Sequence, residues 1–348
     1  MTSSQPKETI GLVVVLTPKR TLRAKRHFAL TVDGWKIALH HYRPPGGPRV
    51  GHPPILLCHG LGANRYNLDA PGGLSLARWL CKRGFDCWVI ELRGAGESSR
   101  PRLLNRLRYN WTFDDHVQKD IPAVFDTIER LTGSREVHWI GHSMGGMVAY
   151  AYLMTQDPTR IRSLMAIASP AFAHLSHPFF DRILGFRHVI KLLPRLPYST
   201  PGKLLAPIIP LFKYTTGRLV ANPKNMRNSD FQKLAFLVPQ DLPTSLLAQV
   251  ADWYATGEFK GAKGVVRYDQ LFDRVKVPTL LVSGAADRLT PTKDIQHVFD
   301  RIGSADKKLL QFGRESGCRY DYGHIDLVLG QYAPREVFPH LLAWLEAH

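Results

Sequence analysis

Short runs of apolar residues recur through most of the chain, and helical patterns separate most of them. The runs are Ile55–Cys58, Cys87–Leu92, Val137–Ile140, Leu164–Ala168, Thr279–Val282 and Lys308–Phe312. Continuous apolar runs of this length are typical of strands that are buried on both faces of a parallel sheet. Apolar residues at helical spacing follow in 74–83, 116–131, 144–154, 292–302 and 337–345. This alternation predicts an α/β fold, with a mostly parallel central sheet and helices on both of its faces.

Two parts of the chain depart from the alternation. Residues 1–24 are polar and basic and predict a loose N-terminal arm, with a short strand at Ile10–Leu16. Ten prolines fall between Pro170 and Pro243, so we expect a cap of short helices at 170–268. The core would then comprise residues 25–169 and 269–348. It begins with a β-hairpin, because two strand-like runs, Arg26–Val32 and Trp35–Tyr42, flank Asp33-Gly34.

The chain carries a formal net charge of +17, which favours contact with anionic surfaces. No finger, helix-turn-helix or RNA-binding aromatic signature accompanies the charge, so we expect no nucleic-acid partner. A solvated basic surface is the simpler interpretation, and contact with an anionic membrane is the alternative.

The four cysteines form no disulfide framework, and no apolar run is long enough to span a bilayer. No secretory signal is apparent either. We therefore expect a cytoplasmic protein, with peripheral membrane contact as a second possibility. Histidines at metal-ligand spacing are lacking, and Gly94-Ala95-Gly96 is followed by Ser99 where a dinucleotide loop needs glycine. No metal or cofactor is expected.

The strongest chemical signal is Gly141-His142-Ser143-Met144-Gly145. It follows a predicted strand and opens a predicted helix, which is the context of a nucleophile elbow. The turn strains the backbone at the nucleophile, and flanking glycines relieve crowding. We predict that Ser143 is a nucleophile, with a plain tight turn as the alternative.

A second glycine-rich turn, His59-Gly60-Leu61-Gly62, ends the first central strand. In this architecture a loop at that position donates one N–H group to the oxyanion of the reaction, and the residue after the nucleophile donates another. Leu61 and Met144 are the predicted donors. The alternative is that the glycines only make a turn.

The predicted acid and base follow late strands of the sheet. Asp287 lies in a loop after the run Thr279–Val282, and His324 lies in a loop before the last helix. Their order after Ser143 fits a Ser-Asp-His triad. Asp294 and His297 are poorer candidates, because both sit within a helical pattern.

These residues resemble the acid lipase family of α/β hydrolases. The matching segments are 57–61, 113–123, Gly141–Gly145 and 322–327, and a looser similarity extends to polyhydroxyalkanoate synthases, which carry cysteine as nucleophile. The resemblance covers roughly residues 30–170 and 275–345. It implies an α/β-hydrolase fold, with Ser143, Asp287 and His324 as triad and Leu61 and Met144 as oxyanion donors.

The sequence therefore predicts a serine hydrolase that cleaves a carboxylic ester or lipid through an acyl-Ser143 intermediate. The apolar cap favours an apolar acyl or alcohol group. Phe179, Phe180, Trp253 and Tyr254 are candidates for lining its pocket, or for packing the cap on the core. The alternatives are transfer of the same acyl group to another acceptor and a non-catalytic binding protein.

Overall fold

A computed structural model describes residues 22–103, 105–171 and 193–348 of the chain. The described strands are β1 (Lys25–Leu30), β2 (Lys36–Tyr42), β3 (Ile55–Cys58), β4 (Cys87–Glu91), β5 (Val137–His142), β6 (Ile161–Ile167), β7 (Arg195–Leu196), β8 (Leu242–Pro243), β9 (Thr279–Gly284) and β10 (Lys307–Phe312). Eight of them form one sheet in the order β1-β2-β4-β3-β5-β6-β9-β10, while β7 and β8 pair separately.

The large sheet is antiparallel only where β2 pairs with β1 and with β4. From β4 through β10 all neighbouring strands run parallel. The predicted α/β fold is confirmed. The first two strands form the expected hairpin around Gly34, whose φ of 84° suits a residue without a side chain.

Helices cover both faces of this sheet. The described α-helices are α1 (Leu76–Cys81), α2 (Phe113–Asp115), α3 (Ile121–Thr132), α4 (Met144–Thr155), α5 (Ser199–Leu205), α6 (Asn228–Leu237), α7 (Thr244–Thr256), α8 (Thr292–Arg301), α9 (Asp326–Leu329), α10 (Ala333–Glu336) and α11 (Phe338–Ala347). A π-helical turn, His116–Asp120, joins α2 to α3. Helices α3 and α4 pack into one apolar cluster, and α1 and α11 pack into a second. A core on each face of a parallel sheet is what the continuous apolar strands require.

The described residues 193–278, here termed the β6–β9 segment, connect β6 to β9. The segment includes the 13-residue helix α7, which is longer than the expected short helices. That expectation was wrong for α7 because the prolines stop at Pro243, the residue that caps its N-terminus. Two hydrogen bonds fasten the segment to the loop after β3: Asn64 Nδ2 donates to the Leu237 carbonyl at 2.8 Å, and the Gln240 N–H donates to the Gly62 carbonyl at 2.8 Å.

Within the part of the chain that the structure describes, no helix is both long and apolar enough to cross a membrane. The predicted strand at Ile10–Leu16 and the candidate pocket residues Phe179 and Phe180 lie outside the described residues.

Candidate active site

Ser143 occupies a strained turn between β5 and α4. Its φ of 54° and ψ of −121° place it in a region that residues with side chains rarely adopt. A Cβ on Gly145 would lie 2.2 Å from the Cys58 carbonyl oxygen, and one on Gly141 would lie 2.4 Å from the Gly145 carbonyl carbon. The strand and the helix can therefore meet this closely only because both flanking residues are glycine.

The loop after β3 lies directly against this turn. A Cβ on Gly60 would lie 3.1 Å from Ser143 Cβ, and the Gly60 N–H donates to Asn67 Oδ1 at 3.1 Å. The N–H groups of Leu61 and Met144 have no acceptor among the described residues. Met144 is also the first residue of α4, whose N-terminal N–H groups favour negative charge. Two N–H donors without a partner in the described part of the chain thus lie beside Ser143.

His324 and Asp287 form a buried pair, with 2.9 Å between His324 Nδ1 and Asp287 Oδ2. Asp287 also accepts hydrogen bonds from Thr290 Oγ1 at 2.7 Å and from the N–H groups of Leu289 and Thr290, both at 2.9 Å. Burial raises the pKa of Asp287, but His324 and the Thr290 bonds outweigh burial and hold the pKa below its ordinary value. The carboxylate is therefore ionised and holds the imidazole in one orientation.

A second carboxylate fixes the loop that carries His324. Asp326 is fully buried and accepts hydrogen bonds from the N–H of Gly323 (3.0 Å to each oxygen), the N–H of Asn222 (3.0 Å) and Asn225 Nδ2 (2.7 Å). The side chains of Asn222 and Asn225 both donate to the Asp321 carbonyl as well. We call Asn222, Asn225 and Asp326 the histidine-loop clamp. Sequence reasoning missed it, although Asp326 stands two residues after His324.

The chain matches the α/β hydrolase fold family over residues 53–314. It belongs to this family. Mouse "Lipase member N" is 24% identical and aligns with 91% of this chain and 86% of its own. "Triacylglycerol lipase 2" of Arabidopsis thaliana is 26% identical and aligns with 91% of this chain and 83% of its own. A solved esterase from Thermogutta terrifontis, 19% identical, has a TM-score of 0.64 and covers 93% of this chain and 99% of its own. The expected resemblance to lipases is confirmed.

In this α/β hydrolase, His142 connects the loop after β3 with the loop that carries His324. Its Nδ1 lies 3.0 Å from Asn67 Oδ1, which holds Gly60, and its Nε2 lies 3.1 Å from the His324 carbonyl oxygen. The His142 and His324 rings are 4.8 Å apart between centroids. Burial lowers the pKa of His142 to about 3, so the ring is neutral and only one of its two contacts contains an N–H donor.

A pocket of the α/β hydrolase lies beside Met144. Its apolar wall includes Trp111, Leu242 and Leu246, and its polar lining includes His59, Arg93 and His116. Leu242 also lies over Gly62, where a Cβ would be 3.3 Å from its Cδ1. Residues from both the loop after β3 and the β6–β9 segment therefore line one pocket.

The two described candidates for pocket lining have different surroundings. Trp253 is fully buried, packs edge-on against Phe113 and Phe259, and donates its indole N–H to the Lys260 carbonyl at 2.6 Å. It packs the interior and is not part of the pocket beside Met144. Tyr254 is half-buried, and burial, followed by the negative charges of Asp294 and Asp287, raises its pKa.

Within residues 22–103, 105–171 and 193–348, no cluster of three or more histidine, cysteine, aspartate or glutamate side chains is arranged to hold a metal ion.

Proposed function

We propose that this α/β hydrolase is a serine hydrolase of carboxylic esters. The supporting observation is the buried His324–Asp287 pair at 2.9 Å, next to the strained turn that presents Ser143. His142, which directly precedes Ser143, contacts the His324 backbone and so joins the turn to the base. Strained backbone persists only where the surrounding structure supports it, and it concentrates at active sites.

In the proposed reaction, Ser143 Oγ attacks the ester carbonyl carbon while His324 takes the hydroxyl proton. The N–H groups of Leu61 and Met144 bind the oxyanion that forms. His324 then gives its proton to the departing alcohol, which leaves an acyl group on Ser143. A water molecule, deprotonated by the same histidine, releases the acid. Asp287 keeps the imidazole proton on Nδ1, so that Nε2 can accept the serine proton.

We propose an ester with an apolar acyl or alcohol group as substrate. The apolar side chains of Trp111, Leu242 and Leu246 beside Met144 agree with this class, and the cavity that they line, about 20 Å³, has room for one small group. Relatives named lipases, including a "Triacylglycerol lipase 2", support it further.

We also propose that residues 170–268 form a cap on a core of residues 25–169 and 269–348, with residues 1–24 as a separate arm. The described part of this cap exposes many large apolar side chains: Leu193, Leu204, Leu205, Ile208, Leu211, Phe212, Tyr214 and Phe236. Leu204 and Leu211 are 75% and 78% exposed, with the exposed cations Lys203 and Arg218 nearby in sequence. Apolar residues flanked by cations suit the surface of an anionic membrane.

The membrane proposal is tested by flotation with neutral and with anionic phospholipid vesicles. We expect binding to the anionic vesicles only, and loss of that binding when Leu204 and Leu211 are both changed to Asp. Equal recovery of the variant and the unchanged protein with anionic vesicles would exclude the proposed docking face.

The esterase proposal is tested by release of p-nitrophenol from acyl esters of increasing chain length. We expect turnover by the unchanged protein and a loss of at least about 10³-fold in Ser143→Ala. Ser229→Ala, at an exposed position of α6, is the matched control and should retain full activity. If no ester is turned over but a fluorophosphonate labels Ser143, acyl transfer to another acceptor becomes the better assignment. If Ser143 is not labelled, a non-catalytic binding protein becomes the better assignment.

A further inference from the structure

A histidine–carboxylate pair outside the proposed triad contributes its histidine to the pocket wall. His116 Nδ1 is 2.8 Å from Asp120 Oδ2, and both residues are buried. They begin and end the π-helical turn between α2 and α3. Such turns are rare and occur frequently at functional sites.

The neighbours of Asp120 fix the tautomer of His116. Arg93 donates from Nε to Asp120 Oδ1 at 2.8 Å and also pairs with Asp33. Asp120 Oδ2 accepts from His116, so Nδ1 carries a proton, and in the neutral tautomer Nε2 would carry a lone pair. His116 lines the pocket beside Met144, and Nε2 is the ring nitrogen that Asp120 does not use.

Two other polar side chains of the pocket, those of His59 and Arg93, already use their polar atoms. His59 Nε2 accepts from the Leu92 N–H and its Nδ1 contacts the Gly60 carbonyl. Arg93 pairs with Asp33 and Asp120.

The lining residues from the β6–β9 segment are engaged in the same way. Gln240 accepts from the Gly96 N–H and donates to the Pro239 carbonyl, while Asp241 pairs with Arg195. Among the side-chain acceptors that line the pocket, His116 Nε2 lacks a hydrogen-bond partner within the described residues, and the indole N–H of Trp111 is a donor that lacks one there.

We propose that His116 is a specificity-determining residue, whose Nε2 accepts a hydrogen bond from a hydroxyl group of the substrate. The preferred ester then carries a free hydroxyl close to the reacting carbonyl, as a hydroxyacyl ester or a partial ester of a polyol does. This inference rests on the proposed esterase function and names its substrate class. A pocket built to bond a hydroxyl discriminates against the analogue that lacks it, because the buried acceptor then stays unpaired.

Two substrate pairs test the proposal, one for each side of the ester bond. The first compares p-nitrophenyl 3-hydroxyhexanoate with p-nitrophenyl hexanoate, and the second compares glycerol monohexanoate with propyl hexanoate. We expect the unchanged protein to favour the hydroxylated member of at least one pair in kcat/KM by about threefold to tenfold, the range of one neutral hydrogen bond. His116→Met should remove that preference, as judged by the ratio of the two kcat/KM values within each pair.

His116→Gln is the matched control, because its side-chain amide restores a polar group near the position of Nε2. It should recover part of the preference, which a purely structural role of His116 would not explain. A melting curve of each variant reports whether it folds. If His116→Met does not fold, the substrate ratios of the unchanged protein still test the substrate class, and His116→Gln tests the role of the residue.

Absence of a preference in both pairs, or an undiminished preference in His116→Met, would overturn the assignment. Loss of turnover on every ester by the unchanged protein would instead contradict the esterase function itself. The two failures are therefore distinguishable.

Discussion

The two sides of Ser143 are built differently. On the acid–base side, Asp287 accepts from Thr290 and Leu289 as well as contacting His324, and Asp326 is bonded on both of its oxygens. On the pocket side, the N–H groups of Leu61 and Met144 and Nε2 of His116 lack partners among the described residues. The protein supplies its own partners where orientation matters, and leaves polar groups unpaired where we propose that the substrate binds.

This difference has a physical reason. A base acts efficiently only when it is held within hydrogen-bond reach of the proton that it removes, so its neighbours must be fixed before substrate arrives. Oxyanion donors stabilise the negative charge that develops on the substrate oxygen in the transition state. They are most effective when no protein group already accepts their hydrogen bonds. Unpaired groups on the pocket side cost stability, and we expect bound substrate to recover part of that cost.

The largest expected effect comes from breaking the acid–base side at Asp287. In Asp287→Asn, the side-chain amide would donate to His324 Nδ1 and force the imidazole proton onto Nε2. That tautomer cannot accept the Ser143 proton, so we expect kcat to fall by about 10⁴-fold with little change in KM. Steady-state kinetics on p-nitrophenyl esters measures both constants.

Asp300→Asn, at an exposed position of α8, is the control for this exchange and should leave kcat unchanged. A kcat within tenfold of the unchanged protein in Asp287→Asn would remove Asp287 from the proposed triad.

A smaller effect is expected from the histidine-loop clamp. Asp326→Asn replaces one acceptor oxygen by an N–H₂ group that faces backbone N–H donors, and so breaks at least one bond that holds the loop. We expect kcat to fall by about tenfold to a hundredfold, equivalent to about 1.4–2.8 kcal/mol, while KM stays within about twofold. Asp126→Asn, whose side chain is 74% exposed, is the control. A rise in KM without a fall in kcat would contradict a role in positioning His324.

The clamp also shows where sequence reasoning stops. Six apolar runs predicted the six strands β3 to β6, β9 and β10, because buried parallel strands have a local signature. The turn at Ser143 could also be predicted, because Gly141 and Gly145 lie close to the serine in the sequence. Asn222 and Asn225 meet Asp326 across about a hundred residues, and no local pattern records such a contact. The pair of His116 and Asp120 is local, four residues apart, but the sequence does not show that His116 lines a pocket.

The smallest expected effect is on the stability of the folded protein. It comes from Asp294, a carboxylate on the acid–base side whose Oδ2 lacks a partner among the described residues. Asp294, in the first turn of α8, is 2% exposed. Burial raises its pKa to about 7, and the charge of Asp287 adds to the rise. The unfolded chain releases this proton near pH 3.8 and the folded protein near pH 7, so stability falls as the pH rises through that interval.

Asp294→Asn carries no charge at any pH and should escape this loss. We expect the variant to be more stable than the unchanged protein at pH 8 by about 1–3 kcal/mol, and to match it near pH 4. Thermal melting at both pH values measures the difference, which should appear as a rise of a few degrees at pH 8 alone. An equal shift at both pH values would mean that packing, and not the buried charge, distinguishes the two proteins. A gain confined to high pH would show that an unpaired group, Asp294, costs stability on the acid–base side as well. Complete pairing of polar groups would then be a property only of the residues that hold His324.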